Sequence, residues 1–318
     1  MAEKKYKQVT RKDVAEEAGV SVTIVSYVIN NNRYVDKEKR IKVEEAIKKL
    51  HYKPNSIARA LKGKKLNHIV FIADQIVTEH FSLLVSELDK HAYDLGYMIS
   101  LCSNRNTQQF IDSIISRQYD GVIISSISFD KEYIKQLIAA DIPVVLLVNR
   151  DYDDIEGAAK IENGLYEGAR ENVRYLQRKG CKNIIYVDRF SQRKHFSDMR
   201  FYEEMKQSGL SEHPEKNFIT GCHNEEEVKE KVAEYLKTNK VDAIFGRNDK
   251  VACIAMQSAK KMGYKIPEDI KVIGFDNSSL GQYCEPPISS MEIQREQIAK
   301  TAIEMLRQMI EEHIIPEK

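Results

Sequence analysis

Between residues 66 and 291 the chain alternates short apolar runs with stretches whose apolar residues recur at helical spacing. The first series of runs is HIVFIA, YMISLC, GVIISS and IPVVLLV, and the second is NIIYV, NFITG, DAIFG and IKVIGF. Predicted helices at about 81–95, 108–118 and 130–139 separate the runs of the first series. Apolar runs of this kind are typical of parallel strands that helices cover on both faces. We therefore predict an α/β body of two doubly wound parallel subdomains.

The chain is expected to cross from one subdomain to the other near residue 161 and to return near residue 291. Subdomain one takes about 66–161 and 292–318, and subdomain two takes about 162–291. Ligands of doubly wound sheets bind at the carboxyl ends of the strands, so we expect a small-molecule site in the cleft between the subdomains. Asn149 with Arg150, Asn248 with Asp249, and Asp276 follow predicted strands directly. Helix capping or ion pairing explains any one of them equally well, but together they indicate a polar ligand.

The front of the chain differs from the body in charge. Residues 1–65 contain 17 Lys and Arg against 8 Asp and Glu, a balance of +9, which leaves −8 for the remainder of a chain whose net charge is +1. A basic segment joined to an acidic body is typical of a unit that binds the phosphates of a nucleic acid. A solvated Lys-rich tail would have the same charge, so charge alone does not distinguish such a tail from a nucleic-acid-binding unit.

Three short helices are predicted within the first 50 residues. Thr10 and Asp13 fit a capping box, Gly19 ends that helix, Ser21 caps a second helix and Asp36 caps a third over about 37–50. Val25, Val28 and Ile29 form the inward stripe of the second helix, which leaves its outer face to Val22, Thr23, Ser26, Tyr27 and Asn30. The tight turn between the first two helices predicts a helix-turn-helix unit over residues 1–53. Any three-helix bundle has this periodicity, but the short outward side chains suit contact with base edges.

The order of these motifs resembles the lactose-repressor family of transcription regulators. The resemblance rests on DVAEEAGVSVTIVSYVIN and YKPNSIARALKGKK, and extends more loosely through EGARENVRYLQRKGCKNIIYV, AIFGRNDKVA and YKIPEDIKVIGFDN. Ile24 stands where the family usually has Thr, and Tyr27 stands where it usually has Arg. The resemblance implies a periplasmic-binding-protein-like body and double-stranded operator DNA as a partner. It implies DNA contacts from Thr10, Ser21, Val22, Thr23, Ser26, Tyr27, Asn30, Tyr34, Lys39 and Tyr52.

Residues 54–65 are expected to connect the two parts. Pro54 suits a helix start and Gly63 an end, but about eight residues form a helix only with outside support. By resemblance this segment is a hinge helix that orders on DNA and inserts Leu61 into the minor groove, with Asn55 and Ala58 as further contacts. The alternative is a flexible basic linker in which Leu61 has no role.

The resemblance also implies effector contacts in the cleft. They are His80, Phe81, Asn149, Arg150, Ser197, Arg200, Asn248 and Asp276. Ser197 falls where many relatives have an effector-binding Arg, and Arg200 or Arg193 could replace it from another direction. The effector is expected to be a sugar or sugar derivative; a nucleobase or an amino acid is the alternative.

Other classes of function are not favoured by the sequence. The glycines form no dinucleotide or P-loop motif, and no G-x-S-x-G or H-E-x-x-H is present, so neither an enzyme, a cofactor nor a metal is expected. The five cysteines are odd in number and widely spaced, which predicts buried reduced thiols rather than a disulfide framework or a cysteine zinc site. No signal segment or apolar run long enough for a bilayer is seen, so the cytoplasm is expected.

The sequence as a whole predicts a dimeric transcription regulator, most simply a repressor, controlled by a small molecule. The chain stops at IIPEK, where relatives run on, so a homodimer without a tetramerising tail is expected. A cytoplasmic ligand-binding protein without operator function is the remaining alternative, and a periplasmic binding protein would have no use for residues 1–65.

Overall fold

The computed structural model describes residues 9–53, 65–74, 76–188 and 196–316, without the side chains of residues 196 and 197. The chain divides into two compact units, Met1–Leu66 and Asn67–Lys318. Each unit is built around its own apolar core.

Over its described residues 9–53, the first unit contains three helices, α1 (Arg11–Ala18), α2 (Val22–Asn30) and α3 (Lys37–Lys49). The predicted caps are confirmed: Thr10 and Asp13 form a capping box on α1, Gly19 ends it in the left-handed conformation, and Ser21 caps α2. Asp36 accepts hydrogen bonds from two main-chain amides of α3. These caps satisfy amides that a short helix leaves without internal partners, so they set where each helix begins.

The core of the first unit is small and aliphatic. Val14 of α1, Val25 of α2 and Val43 of α3 are fully buried, and Val28 lies beside them. Tyr52 is also buried, with 7% of its surface exposed, and packs into this cluster. Tyr52 therefore closes the three-helix core, and its role as a DNA contact stays a prediction.

In the described residues of the second unit there are two five-stranded sheets, whose strand pairs are all parallel. Sheet one has the order β2-β1-β3-β4-β5. Its strands are β1 (His68–Ala73), β2 (Met98–Ser103), β3 (Gly121–Ser125), β4 (Val144–Val148) and β5 (Ala159–Glu162). The helices that follow its first three strands in turn are α4 (Glu79–Asp94), α5 (Gln108–Ser116) and α6 (Lys131–Ala139).

Sheet two repeats the same order, β7-β6-β8-β9-β10. Its strands are β6 (Ile184–Val187), β7 (Phe218–Ile219), β8 (Ala243–Gly246), β9 (Lys271–Phe275) and β10 (Ser289–Met291). Its helices are α7 (Leu165–Arg178), α8 (Phe196–Gln207), α9 (Glu225–Thr238), α10 (Asp249–Lys261) and α11 (Ser279–Tyr283). The predicted fold class is confirmed; β5 and β10, two short edge strands, are additional to the predicted series.

The last helix, α12 (Arg295–Glu312), returns to sheet one. It packs along α4 and against β3, β4 and β5. The contact is close, because a Cβ at Gly121 of β3 would lie 2.6 Å from a methyl carbon of Leu306. Subdomain one is therefore completed by residues from the far end of the described chain.

The cysteine prediction is wrong for one pair. Cys253 of α10 and Cys284, which directly follows α11, form a disulfide across a sequence separation of 31 residues. Cys181 and Cys222 are free and buried, as predicted, whereas the free Cys102 is only half-buried. The pair meets because α10 and α11 pack together. Spacing along the sequence contains no sign of that contact.

Candidate functional site

The outward face of α2 is accessible in the first unit. Val22 and Thr23 are exposed, whereas Ser26, Tyr27 and Asn30 are half-buried. The predicted side of α2 therefore faces solvent, with short residues at its start. A helix that presents small side chains in this way can approach the base edges of a major groove.

Two arginines from outside α2 lie against its outer face. Arg11 Nη1 donates a hydrogen bond to Ser26 Oγ at 3.3 Å. The Arg33 guanidinium lies over the ring of Tyr27, 5.3 Å from its centroid. Positive charge is thus present beside Tyr27, although this position of the helix lacks a basic residue.

The remaining predicted DNA contacts differ in their surroundings. Tyr34 is 92% exposed and Lys39 is exposed, whereas Thr10 and Ser21 serve as helix caps. Asn55, Ala58 and Leu61 lie outside the described residues. Among the described positions, only Tyr52 is withdrawn from the surface.

In the second unit, polar residues collect at the switch point of sheet one, where β1 and β3 are neighbours. Asp74, which follows β1, accepts hydrogen bonds from Ser126 Oγ at 2.5 Å and from the Ile127 amide at 2.8 Å. Ser128 and Asn104 also donate to this carboxylate. Such a crevice is where ligands of doubly wound sheets bind. Asp74 was not predicted as a site residue, although it directly follows the apolar run HIVFIA and so has the same strand-end signal as Asp276.

Asn149 and Arg150, predicted from the end of β4, lie beside this cluster in the sheet. Asn149 is buried, and its Oδ1 has no hydrogen-bond partner among the described residues. The Arg150 guanidinium donates to the carbonyl oxygen of Phe129 and lies over the ring of Tyr152 at 5.0 Å. Tyr152 in turn donates to the Ser126 carbonyl at 2.8 Å. Arg150 is held in place by these contacts, whereas the Asn149 side chain has an oxygen that accepts no hydrogen bond from the described residues.

The switch point of sheet two lies between β6 and β8 and contains a buried ion pair. Asp188 directly follows β6 and Arg247 directly follows β8, and their side chains approach to 3.4 Å. The Asp188 side chain is 3% exposed. Neither residue was predicted as a site residue, although both follow strands that the sequence identified.

Asp276 and His80 face one another between the two sheets. Asp276 follows β9, and its Oδ1 lies 3.8 Å from Nδ1 of His80 at the start of α4. Burial, together with the positive charge of Arg295, lowers the pKa of His80 to about 4. Burial raises the pKa of Asp276 to about 6, against the opposing effects of Arg295 and Arg247. At neutral pH the site therefore combines a neutral imidazole with a carboxylate.

A second pair of contacts joins the subdomains beside His80. Glu79 accepts hydrogen bonds from the Ser279 amide at 2.8 Å and from Ser279 Oγ at 3.0 Å. Arg295, the first residue of α12, donates to the carbonyl oxygen of Asp276. The starts of α4, α11 and α12 therefore meet at the same place.

The other predicted effector contacts have defined roles in the fold. Phe81 packs on His80 and Phe71, with ring centroids 5.0 and 6.3 Å apart, so it supports the imidazole. Asn248 caps α10 by accepting from the Val251 amide at 2.9 Å. Asp249 is buried and accepts from Ser278 and Ser290, both at 2.5 Å. Asn248 therefore has the helix-capping role that the sequence left open.

Arg200 is held by side chains of its own helix, α8, and of the neighbouring helix α7. Its guanidinium donates to Tyr166 at 3.2 Å and to Glu203 at 3.0 Å, and lies 4.7 Å from the centroid of the Tyr166 ring. Ser197 lies in α8, but its side chain is outside the described atoms, as is Arg193. Whether Arg200 contacts an effector stays a prediction.

Within the described residues, no helix combines the length and apolar character that a membrane crossing requires.

The chain matches known proteins at both ends. Residues 10–55 match the bacterial regulatory proteins of the lacI family, and residues 173–318 match the periplasmic binding protein-like domain. Over 312 residues it is 29% identical to the HTH-type transcriptional repressor PurR of Histophilus somni strain 129Pt, covering 95% of this chain and 92% of that one.

Two solved structures resemble the fold. The lac repressor dimer bound to operator and the anti-inducer ONPF superposes with a TM-score of 0.84 at 22% identity, covering 97% of this chain and 94% of that chain. A periplasmic binding protein/LacI transcriptional regulator from Alkaliphilus metalliredigens QYMF, complexed with D-xylulofuranose, superposes with a TM-score of 0.64 at 25% identity. The match covers 77% of this chain and 91% of that chain.

Proposed function

Because this chain belongs to the lacI family of bacterial regulatory proteins and is a DNA-binding transcriptional repressor rather than an enzyme, we propose that a small polar molecule controls its affinity for operator DNA. The molecule binds between the carboxyl ends of the two sheets. The observation that carries this proposal is the approach to 3.8 Å of His80 Nδ1 and Asp276 Oδ1, which belong to opposite subdomains.

The first unit binds the operator through α2. Val22, Thr23 and Ser26 approach base edges in the major groove, and Tyr27 contacts either a thymine methyl group or a phosphate. Arg11 and Arg33 supply positive charge next to this face. Asn55, Ala58 and Leu61 remain predicted contacts from the connecting segment. Phosphate neutralisation by the basic unit supplies most of the non-specific affinity.

The operator-binding form is a homodimer. Sheet one ends in the edge strand β2, and large apolar side chains are exposed on β2 and at the end of α4. Tyr93 is 76% exposed and Met98 is 69% exposed, with Leu95 and Leu101 near them. Patches of this kind on an otherwise polar surface mark protein interfaces. A second copy, related by two-fold symmetry, would cover them and place two copies of α2 on one operator.

The effector site combines donors, acceptors and a ring. At neutral pH it offers the Asp276 carboxylate, the neutral His80 ring and the unpaired Asn149 Oδ1. This arrangement suits an uncharged molecule with several hydroxyl or ring-nitrogen groups. A sugar or sugar derivative is one candidate. A nucleobase is the other, because a flat heterocycle can stack on the His80 ring while Asn149 and Asp276 bind its edge.

Effector and operator act on each other through one linked equilibrium. A ligand that favours one arrangement of the two subdomains changes operator affinity, and by reciprocity operator binding changes ligand affinity by the same factor. The sign of the effect depends on which arrangement binds DNA. The contact of Glu79 with Ser279 belongs to the arrangement described above.

The proposal is tested in two steps with the purified full-length protein. A duplex selected from a random library is titrated by fluorescence anisotropy at several salt concentrations. If each protomer neutralises four or five phosphates, the dimer should give a log-log slope of roughly −7 to −9. A slope near zero would contradict operator binding.

The second step identifies the effector class. Sugars, sugar phosphates, nucleobases, nucleosides and amino acids are screened for a rise in melting temperature, and each hit is then added to the operator titration. A hit should change operator affinity in wild type and lose that effect in Asp276→Ala. Hits that stabilise both proteins equally would place the ligand elsewhere.

A further inference from the structure

Three potential metal ligands meet on the outside of subdomain one, where α4 and α12 pack along each other. Glu87 and His91 lie on α4, and Glu296 lies in the first turn of α12. One ligand atom from each residue lies within 4.8 Å of the other two. None of the three residues is among those named for the effector site or for α2.

Geometry brings these three residues together before any ion binds. Glu87 and His91 are four residues apart on one helix, so their side chains share a face. Glu296 is 205 residues beyond His91 in sequence (296 minus 91) and is placed beside them by the packing of α12 on α4. Zinc ligands at about 2.0 to 2.2 Å from the ion lie within about 4 Å of one another, so small side-chain rotations would complete the site.

The imidazole provides a second observation. His91 Nε2 is buried from solvent and has no hydrogen-bond partner among the described residues. A buried ring nitrogen without a partner is unusual, because desolvation without a compensating bond is costly. Among the described residues Glu87 has one ion-pair contact, with Lys90 at the long distance of 3.5 Å, so a turn of its carboxylate toward the imidazole would cost little.

We propose that Glu87, His91 and Glu296 form a binding site for a divalent transition-metal ion of the zinc class. Imidazole nitrogen and carboxylate oxygen are both ligands of Zn²⁺, and a solvent molecule would complete the tetrahedron as in other three-ligand zinc sites. Mg²⁺ and Ca²⁺ prefer ligands that are all oxygen, so the imidazole selects against them. The bound ion neutralises two neighbouring carboxylates and cross-links α4 to α12.

The test uses untagged full-length protein that has been treated with chelator and exchanged into metal-free buffer. Zn²⁺ is titrated by calorimetry, and Co²⁺ is titrated by visible absorption as a spectroscopic substitute. We expect one Zn²⁺ per protomer, a higher melting temperature with Zn²⁺ than with Mg²⁺, and a tetrahedral Co²⁺ spectrum. Absence of stoichiometric binding to wild type would overturn the proposal.

Three variants and one matched control decide the location. His91→Gln, Glu87→Gln and Glu296→Gln should each weaken Zn²⁺ binding by roughly 100-fold or more, because removal of a residue merely behind the ligands already costs 10- to 100-fold. His213→Gln is the control, since His213 pairs with Glu215 at 3.2 Å without a third ligand in the described chain. Equal binding by all four variants would also overturn the proposal. Glu296 is exposed, so its variant should fold even if the others do not.

Discussion

Replacing Asp276 by Asn should stabilise the protein at neutral pH, although it removes a residue of the proposed effector site. Burial raises the pKa of Asp276 from 3.8 to about 6 in the folded protein. The folded state therefore binds this proton more tightly than the unfolded state. The associated stability is fully present below about pH 4 and is lost as the pH rises through 6. A shift of about 2 pKa units corresponds to about 3 kcal/mol at pH 7, which the neutral amide would retain.

His80 has the opposite effect and hides this trend in wild type. Burial and Arg295 lower its pKa from 6.5 to about 4, so its contribution is present above pH 6.5 and is lost as the pH falls through 4. The two contributions nearly cancel between about pH 4 and 6. Because Asp276 is not the cause of the His80 shift, Asp276→Asn should leave the His80 trend visible, and stability should rise with pH across this window.

The measurement is urea unfolding of wild type and variant at pH 4, 5, 6 and 7. Far-UV circular dichroism is the appropriate probe, because the chain contains no tryptophan. The difference in the free energy of unfolding should be small at pH 4 and should grow to about 3 kcal/mol at pH 7. A difference that is constant with pH, or a variant less stable than wild type at pH 7, would refute the reasoning. Asp269→Asn is a control on an exposed carboxylate of the same unit.

Three further predictions concern other parts of the chain. Thr10→Ala removes the capping box with Asp13 and should lower the free energy of unfolding of the first unit by about 1 kcal/mol, measured by thermal denaturation. Tyr27→Arg should shift the selected operator toward guanine at one position of each half-site by roughly 1 to 3 kcal/mol, and unchanged selection logos would count against it. Gly246→Ala would place a Cβ 2.4 Å from the Ala252 amide nitrogen, so urea unfolding should show a loss of roughly 1 to 3 kcal/mol or more.

The helices of the first unit could be predicted closely because their determinants are local. Thr10, Ser21 and Asp36 each cap a helix through an amide two or three residues away, so the sequence contains both partners of the bond. The alternation of apolar runs likewise predicted the strands of both sheets. Edge strands such as β10 were not predicted, because one exposed and two half-buried residues leave little apolar pattern.

The effector site could be predicted only in part. Strand ends identified Asp276 and Asn149, but the same rule also selected Asn248, whose side chain caps α10. Asp188 and Arg247 were missed because their importance depends on which strands are neighbours, and β6 pairs with β8 across 59 residues of sequence. Sheet order is a property of the whole fold, and local patterns do not contain it.

The disulfide and the burial of Tyr52 also could not be predicted from the sequence, because both depend on how helices pack. Cys253 and Cys284 are joined through the contact of α10 with α11. Tyr52 is buried because the chain turns back after α3, where the Tyr52 amide donates to the Ile47 carbonyl at 3.0 Å. A cysteine can be a free thiol or part of a disulfide, and a tyrosine can be exposed or buried, so the residue type alone does not decide. Three-dimensional contacts selected one of the two in each case.

The return of α12 to sheet one has a consequence for synthesis of the chain. Sheet one is complete in sequence at Glu162, but the helix that covers Gly121 and packs on α4 begins at Arg295, so 132 residues (163–294) separate them. At about 5 to 20 residues per second, a ribosome needs roughly 7 to 26 seconds to make that stretch. During this interval the apolar surface beneath Leu306 faces water, while the residues of sheet two can already fold. Subdomain one, although it is translated first, should therefore be the last part of the body to reach its native core, and truncation before residue 295 should damage it rather than subdomain two.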